Sequence, residues 1–286
     1  MFRSELNMDR KALENAVMAS FVGELEAFKP GNVSFYADGH DMTVLDFQKS
    51  AKVSVPLLCE GNNSLGQRIL DSVCATQVAV GCNTNLGMLL LFAPIIMAAE
   101  SGFKDSIELH KKLEYTLSSI KKTDTEQVFE AIRLASPGGL GSVNSHDVNK
   151  KPDCTLLEAM ELARHRDSVA LQYANNFREI FNIGLVDIKN FEKRWNSVKW
   201  STVSCYLNFM STVTDSHIER KFGREIAEII KIKSKVIAGS FNNSSDPENN
   251  IGLLQSFDEE LKTKSYNPGT SADLTAASLL VYNLTI

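Results

Sequence analysis

The chain has 286 residues, of which 43% are hydrophobic, enough to bury a large core. Its 35 acidic residues outnumber 30 basic ones, giving a net charge of -5 and a pI near 5.6. With no basic stretch interleaved with aromatics, the composition excludes nucleic acid and anionic membrane surfaces as partners of the whole chain.

Residues 9–28 repeat apolar side chains every three or four positions (Leu13, Val17, Phe21, Leu25, Phe28), which predicts an amphipathic helix ending before Pro30 and Gly31. A second helix is expected over 43–58, with Thr43 as N-cap, and a third over 65–80 on Ile69, Val73 and Val80. Residues 86–99 are apolar on all sides, the mark of a central helix. Further helices are expected over 107–120 and 125–135, and a long one, capped by Asp153 or Thr155, through LLEAMELARHRDSVALQYANNF. Residues 195–213, the run SHIERKFGREIAEIIKIKSKVIA and the closing SADLTAASLLVYNL complete the set, with loop composition at 239–250. The two stretches that alternate like strands, AKVSVPL and WSTVSCYL, fit helical neighbours better. The expected fold is all-α, a single multi-helix domain spanning 1–286 with roughly ten or more helices.

Cys59, Cys74, Cys82, Cys154 and Cys205 form no C-x-x-C pair, which argues against a zinc site or disulfide framework and for reduced thiols in a cytoplasm. The charged N-terminal stretch lacks a signal-peptide apolar region, and the run from Leu86 to Ala99 is short of the roughly 20 residues that span a bilayer. A cytoplasmic protein without a membrane partner is expected, with a homodimer as the default oligomer.

Five loops hold most of the unusual polar residues: 29–43, 81–87, 136–148, 214–223 and 267–277. Glycine followed by Asn, Thr or Ser and then an apolar helix, as at GCNTNLG and NPGTSADL, suits phosphate, because the first turn of a helix presents free N–H groups and the positive end of its dipole. Thr270 and Asp273 have capping-box spacing. Asp38, Asp41, Asp215 and Asp273 recur in these loops, and carboxylates beside phosphate turns suggest Mg²⁺, which is held by one or two carboxylates plus substrate phosphates. His40, His146, His165 and His217 each lie within two residues of an Asp, a pattern suited to acid/base work. RHRDS, 164–168, reads equally as a charged helix face. Walker A, G-x-G-x-x-G, H-E-x-x-H and G-x-S-x-G motifs are all absent.

Taken in order, KPGNVS, GHDMTVLDFQKSA, GCNTNLG, RHRDS, TDSHIERKFG and NPGTSADLTAASL resemble the triphosphoribosyl-dephospho-CoA synthase family. The resemblance implies an all-α fold and transfer of the triphosphoribosyl group of ATP to a hydroxyl of dephospho-CoA, with release of adenine. It implies Lys29, Asn83, Thr84, Asn85, Gly269, Ser271 and Asp273 as nucleotide-binding residues. Asp41, Asp215 and Asp273 become candidates for Mg²⁺ or for the cationic sugar, and His40 or His217 for the base. Asn85 and Leu86 stand where the synthases carry His-Lys, and the middle loop SPGGLGSVNSHDV lacks their Arg and Glu. Those departures resemble a subgroup from one-carbon (methanopterin-type) cofactor settings and leave the acceptor open. The loop aspartates also resemble, more remotely, Mg²⁺-dependent N-ribosyl hydrolases of the ADP-ribosyl type.

Overall fold

The structure, a computed structural model, describes residues 8–39, 42–137 and 148–286. Among the described residues the chain forms α1 (Arg10–Glu26), α2 (Val44–Leu58), α3 (Leu65–Val80), α4 (Leu86–Glu100), α5 (Ser106–Ser118), α6 (Lys122–Ala135), α7 (Leu156–Ala163), α8 (Ser168–Ala174), α9 (Leu185–Trp195), α10 (Val198–Thr212), α11 (Ser216–Phe222), α12 (Arg224–Asn243), α13 (Ile251–Thr263) and α14 (Gly269–Thr285). A π turn, Ile180–Gly184, leads into α9, and a 3-10 turn, Pro247–Asn250, leads into α13. No strand occurs among the described residues; two isolated bridges, Ser34 with Ala37 and Gly39 with Met42, shape the loop after α1. None of the described helices is long and apolar enough to cross a membrane.

The two helices that lack a polar face, α4 and α14, form the middle of the fold. Nearly every side chain of each is buried, so neither has a face left for water. α1 runs antiparallel along α14: Asn283 donates to Ser20 Oγ at 3.0 Å, and a turn further on Gly23 packs directly against Leu279. Phe21 of α1 meets Phe92 of α4 at a ring separation of 5.1 Å. A second apolar cluster joins Trp200 and Tyr206 of α10 to Phe241 of α12 and to Leu254 and Phe257 of α13. This cluster backs the loop after α1, where the Tyr206 hydroxyl donates to the Pro30 carbonyl at 2.7 Å.

The helical periodicity is realised, with four differences, one being that α12 runs on to Asn243, into the stretch 239–250 expected as loop. The helix expected to run through RHRDS is broken there: α7 stops at Ala163, and Asp167 starts α8 by accepting from the amides of Val169 and Ala170. The run after residue 214 divides at Gly223, whose φ of 88° ends α11 and begins α12. Helices α9 and α13 were not expected. The capping box proposed for Thr270 and Asp273 does not form: α14 begins at Pro268 without a side-chain cap, because both side chains turn to other helices. Thr43 and Thr155 do cap α2 and α7, each in a reciprocal box with the acid three residues on, Asp46 and Glu158.

Candidate active site

Four helix N-termini meet at one place, and the polar loops are what join them. Asp215 caps α11, its Oδ1 accepting from the amides of His217 and Ile218 at 3.0 and 3.1 Å. Its Oδ2 accepts from the amide and the hydroxyl of Ser271 in the first turn of α14, both at 2.8 Å. Ser216 links the same two helices to α8: its hydroxyl lies 3.0 Å from that of Thr270 and accepts from the Ser168 amide at 3.1 Å. The N-terminus of α4 joins through Asp273, whose carboxylate lies against Gly87. A Cβ at position 87 would stand 2.0 Å from Asp273 Oδ2. Gly269 makes the equivalent allowance for His217, whose Nδ1 would be 2.5 Å from a Cβ there.

The stretch GCNTNLG starts α4 and pins it. Gly81 turns the chain out of α3 at φ 70°. Asn83 Oδ1 accepts from the Leu86 amide at 3.1 Å. The Thr84 hydroxyl donates to Ser50 of α2 at 2.6 Å, and the Asn85 amide reaches Ser54 and Thr76 at 3.4 and 3.3 Å. All three polar side chains thus make hydrogen bonds within the protein, two of them across to other helices.

These termini border a cavity of about 480 Å³, a size suited to a small ligand. Asn83, Thr84, Asn85, Gly87, His217, Gly269, Thr270 and Asp273 line it. So do Asn32 and Asn267, which are joined by a 2.8 Å hydrogen bond from the first amide to the second. Three cations contribute: Arg166 before α8, and Arg220 and Lys221 in the last turn of α11. Arg220 donates to Asp167 at 2.6 Å, and its buried Nε has no partner among the described residues. Asp273 makes no hydrogen bond among the described residues. Burial raises its pKa well above the ordinary carboxylate range, and the charges of Glu24, Asp215 and Asp167 add to the rise, with Arg220 opposing it.

The structure therefore gathers Asn83, Thr84, Asn85, His217, Gly269 and Asp273 at one cavity and directs three expected residues elsewhere. Lys29 is not at a phosphate position. Its ammonium is fully buried, donates to the carbonyls of Glu24 and Val33 at 2.9 and 2.6 Å, and makes an ion contact of 3.1 Å with Glu24 Oε1. Ser271 is turned away from the cavity toward Asp215. Asp215 itself is 6% exposed and accepts four hydrogen bonds, which fills its lone pairs and leaves none for a metal. Burial nevertheless holds its pKa above the ordinary value, the hydrogen bonds opposing that rise. His40, Asp41 and His146 lie outside the described residues. Among the described residues no three His, Cys, Asp or Glu side chains are placed to hold a metal ion. Asp215 and Asp273 are therefore not part of such a group among the described residues, and Asp41 lies outside them.

Reading the sequence missed Arg166, Asp167, Arg220, Asn32 and Asn267 as lining residues. The signals were present: RDS has the form of an N-cap followed by a first helical residue, and ERK closes a short helix whose last-turn cations suit its C-terminal dipole.

The fold and the cavity define an all-helical protein whose pocket is ringed by helix N-termini and basic side chains. The chain matches the family ATP:dephospho-CoA triphosphoribosyl transferase over residues 10–285 and belongs to it, which makes it an enzyme of the transferase class. Its fold is similar to the crystal structure of an Archaeoglobus fulgidus protein assigned as a triphosphoribosyl-dephospho-CoA synthase. The TM-score is 0.62 and the identity 24%, over 82% of this chain and 96% of that one. No curated protein matches the chain.

Proposed function

We propose that this cavity transfers a triphosphoribosyl group from ATP to a hydroxyl of an acceptor such as 3′-dephospho-CoA, releasing adenine. The observation that carries the reading is the convergence of the N-termini of α4, α8, α11 and α14 on a pocket that also receives Arg166, Arg220 and Lys221. The positive dipole ends of these helices and the basic side chains together suit a polyphosphate at the end of the pocket where the cations stand. In the reaction the bond from the anomeric carbon to the adenine nitrogen breaks and a bond to the acceptor oxygen forms. The acceptor hydroxyl gives up its proton, and adenine leaves carrying one. Cationic character develops at the ribose on the way, and a carboxylate held in place without a hydrogen-bonded partner is suited to stabilise it. Asp273 has that description, and His217, lying against Gly269 on the same wall, is positioned to take the acceptor proton. A Mg²⁺ ion would arrive on the triphosphate, as part of the substrate.

The test is adenine release, followed by chromatography, from ATP with dephospho-CoA or with pterin-type acceptors. Adenine that appears only with an acceptor, and is lost in Asp273→Asn, supports the reading. No adenine with either acceptor class refutes the transfer chemistry.

A further inference from the structure

The cavity is sharply divided in chemistry. Its described lining from α4, α6 and α7 is Leu86, Met88, Leu90, Phe129, Ile132, Met160 and small residues, with no charged side chain. These large apolar groups are nearly closed to water: Phe129 and Met88 are 2% exposed and Met160 8%. The cations differ from this lining in their exposure. Arg166 and Lys221 are exposed and Arg220 is half-buried, so basic charge lines the open rim while the floor is apolar. Helix α7 connects the two, with Ala159 and Ala163 one turn apart on the cavity wall and Arg166 just beyond its end. Asp273 packs on Gly87 of α4 and feels the charge of Arg220.

Resting on the transfer reading above, we infer that the nucleotide enters base first. The purine ring occupies the apolar floor between α4, α6 and α7, the triphosphate stays at the Arg166, Arg220 and Lys221 rim, and the anomeric carbon comes level with Asp273. A triphosphate is excluded from the floor, because nothing there replaces the water it would lose. A flat ring gains from leaving water against Phe129, Met160 and Leu90. The described residues of the floor offer no charged group to a base edge, so the base is selected by shape and size. ATP and GTP are then bound alike, and a pyrimidine nucleotide, which fills less of the floor, is bound more weakly. Once cleaved, adenine lies beneath the triphosphoribosyl group and leaves after the transferred product.

The test is calorimetric titration of the full chain with ATP, GTP, CTP and inorganic tripolyphosphate, each with Mg²⁺. Binding is then compared with Ala163→Phe, which fills the floor without burying a charge, and with Ala159→Phe as a second variant. Melting temperature reports folding of each. The expected result is ATP and GTP within a few-fold of each other, and both about tenfold or more tighter than tripolyphosphate. Ala163→Phe or Ala159→Phe should erase that advantage and leave tripolyphosphate binding unchanged. Equal affinities of ATP and tripolyphosphate overturn the base placement while leaving the polyphosphate site standing. So does a filled floor that leaves ATP binding intact but slows turnover with the acceptor, since the floor then belongs to the acceptor. No binding of either ligand overturns the transfer reading as well.

Discussion

Gly87→Ala isolates the contact that brings α4 and α14 together at the cavity. The added Cβ would lie 2.0 Å from Asp273 Oδ2 and 2.4 Å from its Cγ, so the carboxylate must retreat by about 1.5 Å to reach an ordinary contact. Both backbones are held in helices, which leaves rotation of Asp273 as the available relief. Overpacking of this kind costs about 1–3 kcal/mol. The same substitution also relieves a first-turn glycine of a propensity penalty of at most about 0.5–1 kcal/mol, the helix-interior value. Gly239→Ala in α12 separates the two effects, because a Cβ there meets nothing within 4 Å. The difference between the variants removes the propensity gain and leaves the overpacking cost, about 1–3 kcal/mol, or several degrees in melting temperature. Displacing the carboxylate should also lower adenine release by roughly 100-fold, the scale expected for an ångström of misplacement. Thermal unfolding and chromatographic adenine assays on both variants decide the matter. Equal melting temperatures and equal turnover for Gly87→Ala and Gly239→Ala would refute the contact and the role derived from it.

Because burial and neighbouring carboxylates raise the Asp273 pKa above its ordinary 3.8, the wild type binds more protons folded than unfolded and loses stability as pH rises from 3.8 toward the folded value. Asp273→Asn should therefore melt higher than wild type at neutral pH, with the gap closing as pH falls to about 4; a gap that does not change with pH contradicts this. Lys29→Met leaves Glu24 buried without its counter-charge and should cost about 3–5 kcal/mol in denaturant unfolding, whereas Lys29→Met combined with Glu24→Gln should recover most of the loss. Equal loss in the single and double variants would show that packing, not charge, dominates there. Arg220→Gln should weaken tripolyphosphate binding by about 1.5–3 kcal/mol and reduce its salt dependence, measured by titration at two ionic strengths; unchanged affinity removes Arg220 from the polyanion site.

Helix identity was legible wherever the apolar period was strong, as in α1, α4 and α14, and so were the N-cap at Thr43 and, as one of two candidates with Asp153, the N-cap at Thr155. The gathering of GCNTNLG and NPGTSAD was legible only as a resemblance between two loops, each fit for a phosphate. What the sequence hid were partnerships made across the fold. Asp273 lies three residues after Thr270 and reads as its local capping partner, but its packing partner is Gly87 of α4. Asp215 reads as a metal carboxylate, yet two helix termini claim all its lone pairs. Lys29 reads as a phosphate cation, and only the buried position of Glu24, on the inner side of α1, reveals it as half of an internal ion pair. Helix α9 was obscured because it follows two residues, Asn176 and Phe177, held at positive φ and then a π turn, so no clean 3.6-residue period leads into it.

The pair Asn85-Leu86 acquires a different meaning once its surroundings are known. Asn85 is 3% exposed and tied to α2 and α3, and Leu86 is 7% exposed at the head of a helix with no polar face. A cation at 86 would enter the apolar end of the cavity, beside Met88 and Leu90, where it would need a buried counter-charge. The basic groups of this chain instead project from the last turn of α11 and from the link before α8. There the α11 C-terminal dipole favours Arg220 and Lys221, and Asp167 orients the guanidinium toward the rim. Polyanion binding and floor chemistry are thereby assigned to separate elements. A change at 85–86 alters the group that the floor accepts without removing a cation from the rim. Substituting Leu86 should consequently shift which base or acceptor is used while leaving tripolyphosphate affinity in place. Substituting Arg220 should do the reverse, and a Leu86 variant that weakens tripolyphosphate as strongly as Arg220→Gln would show that the two ends are not separate.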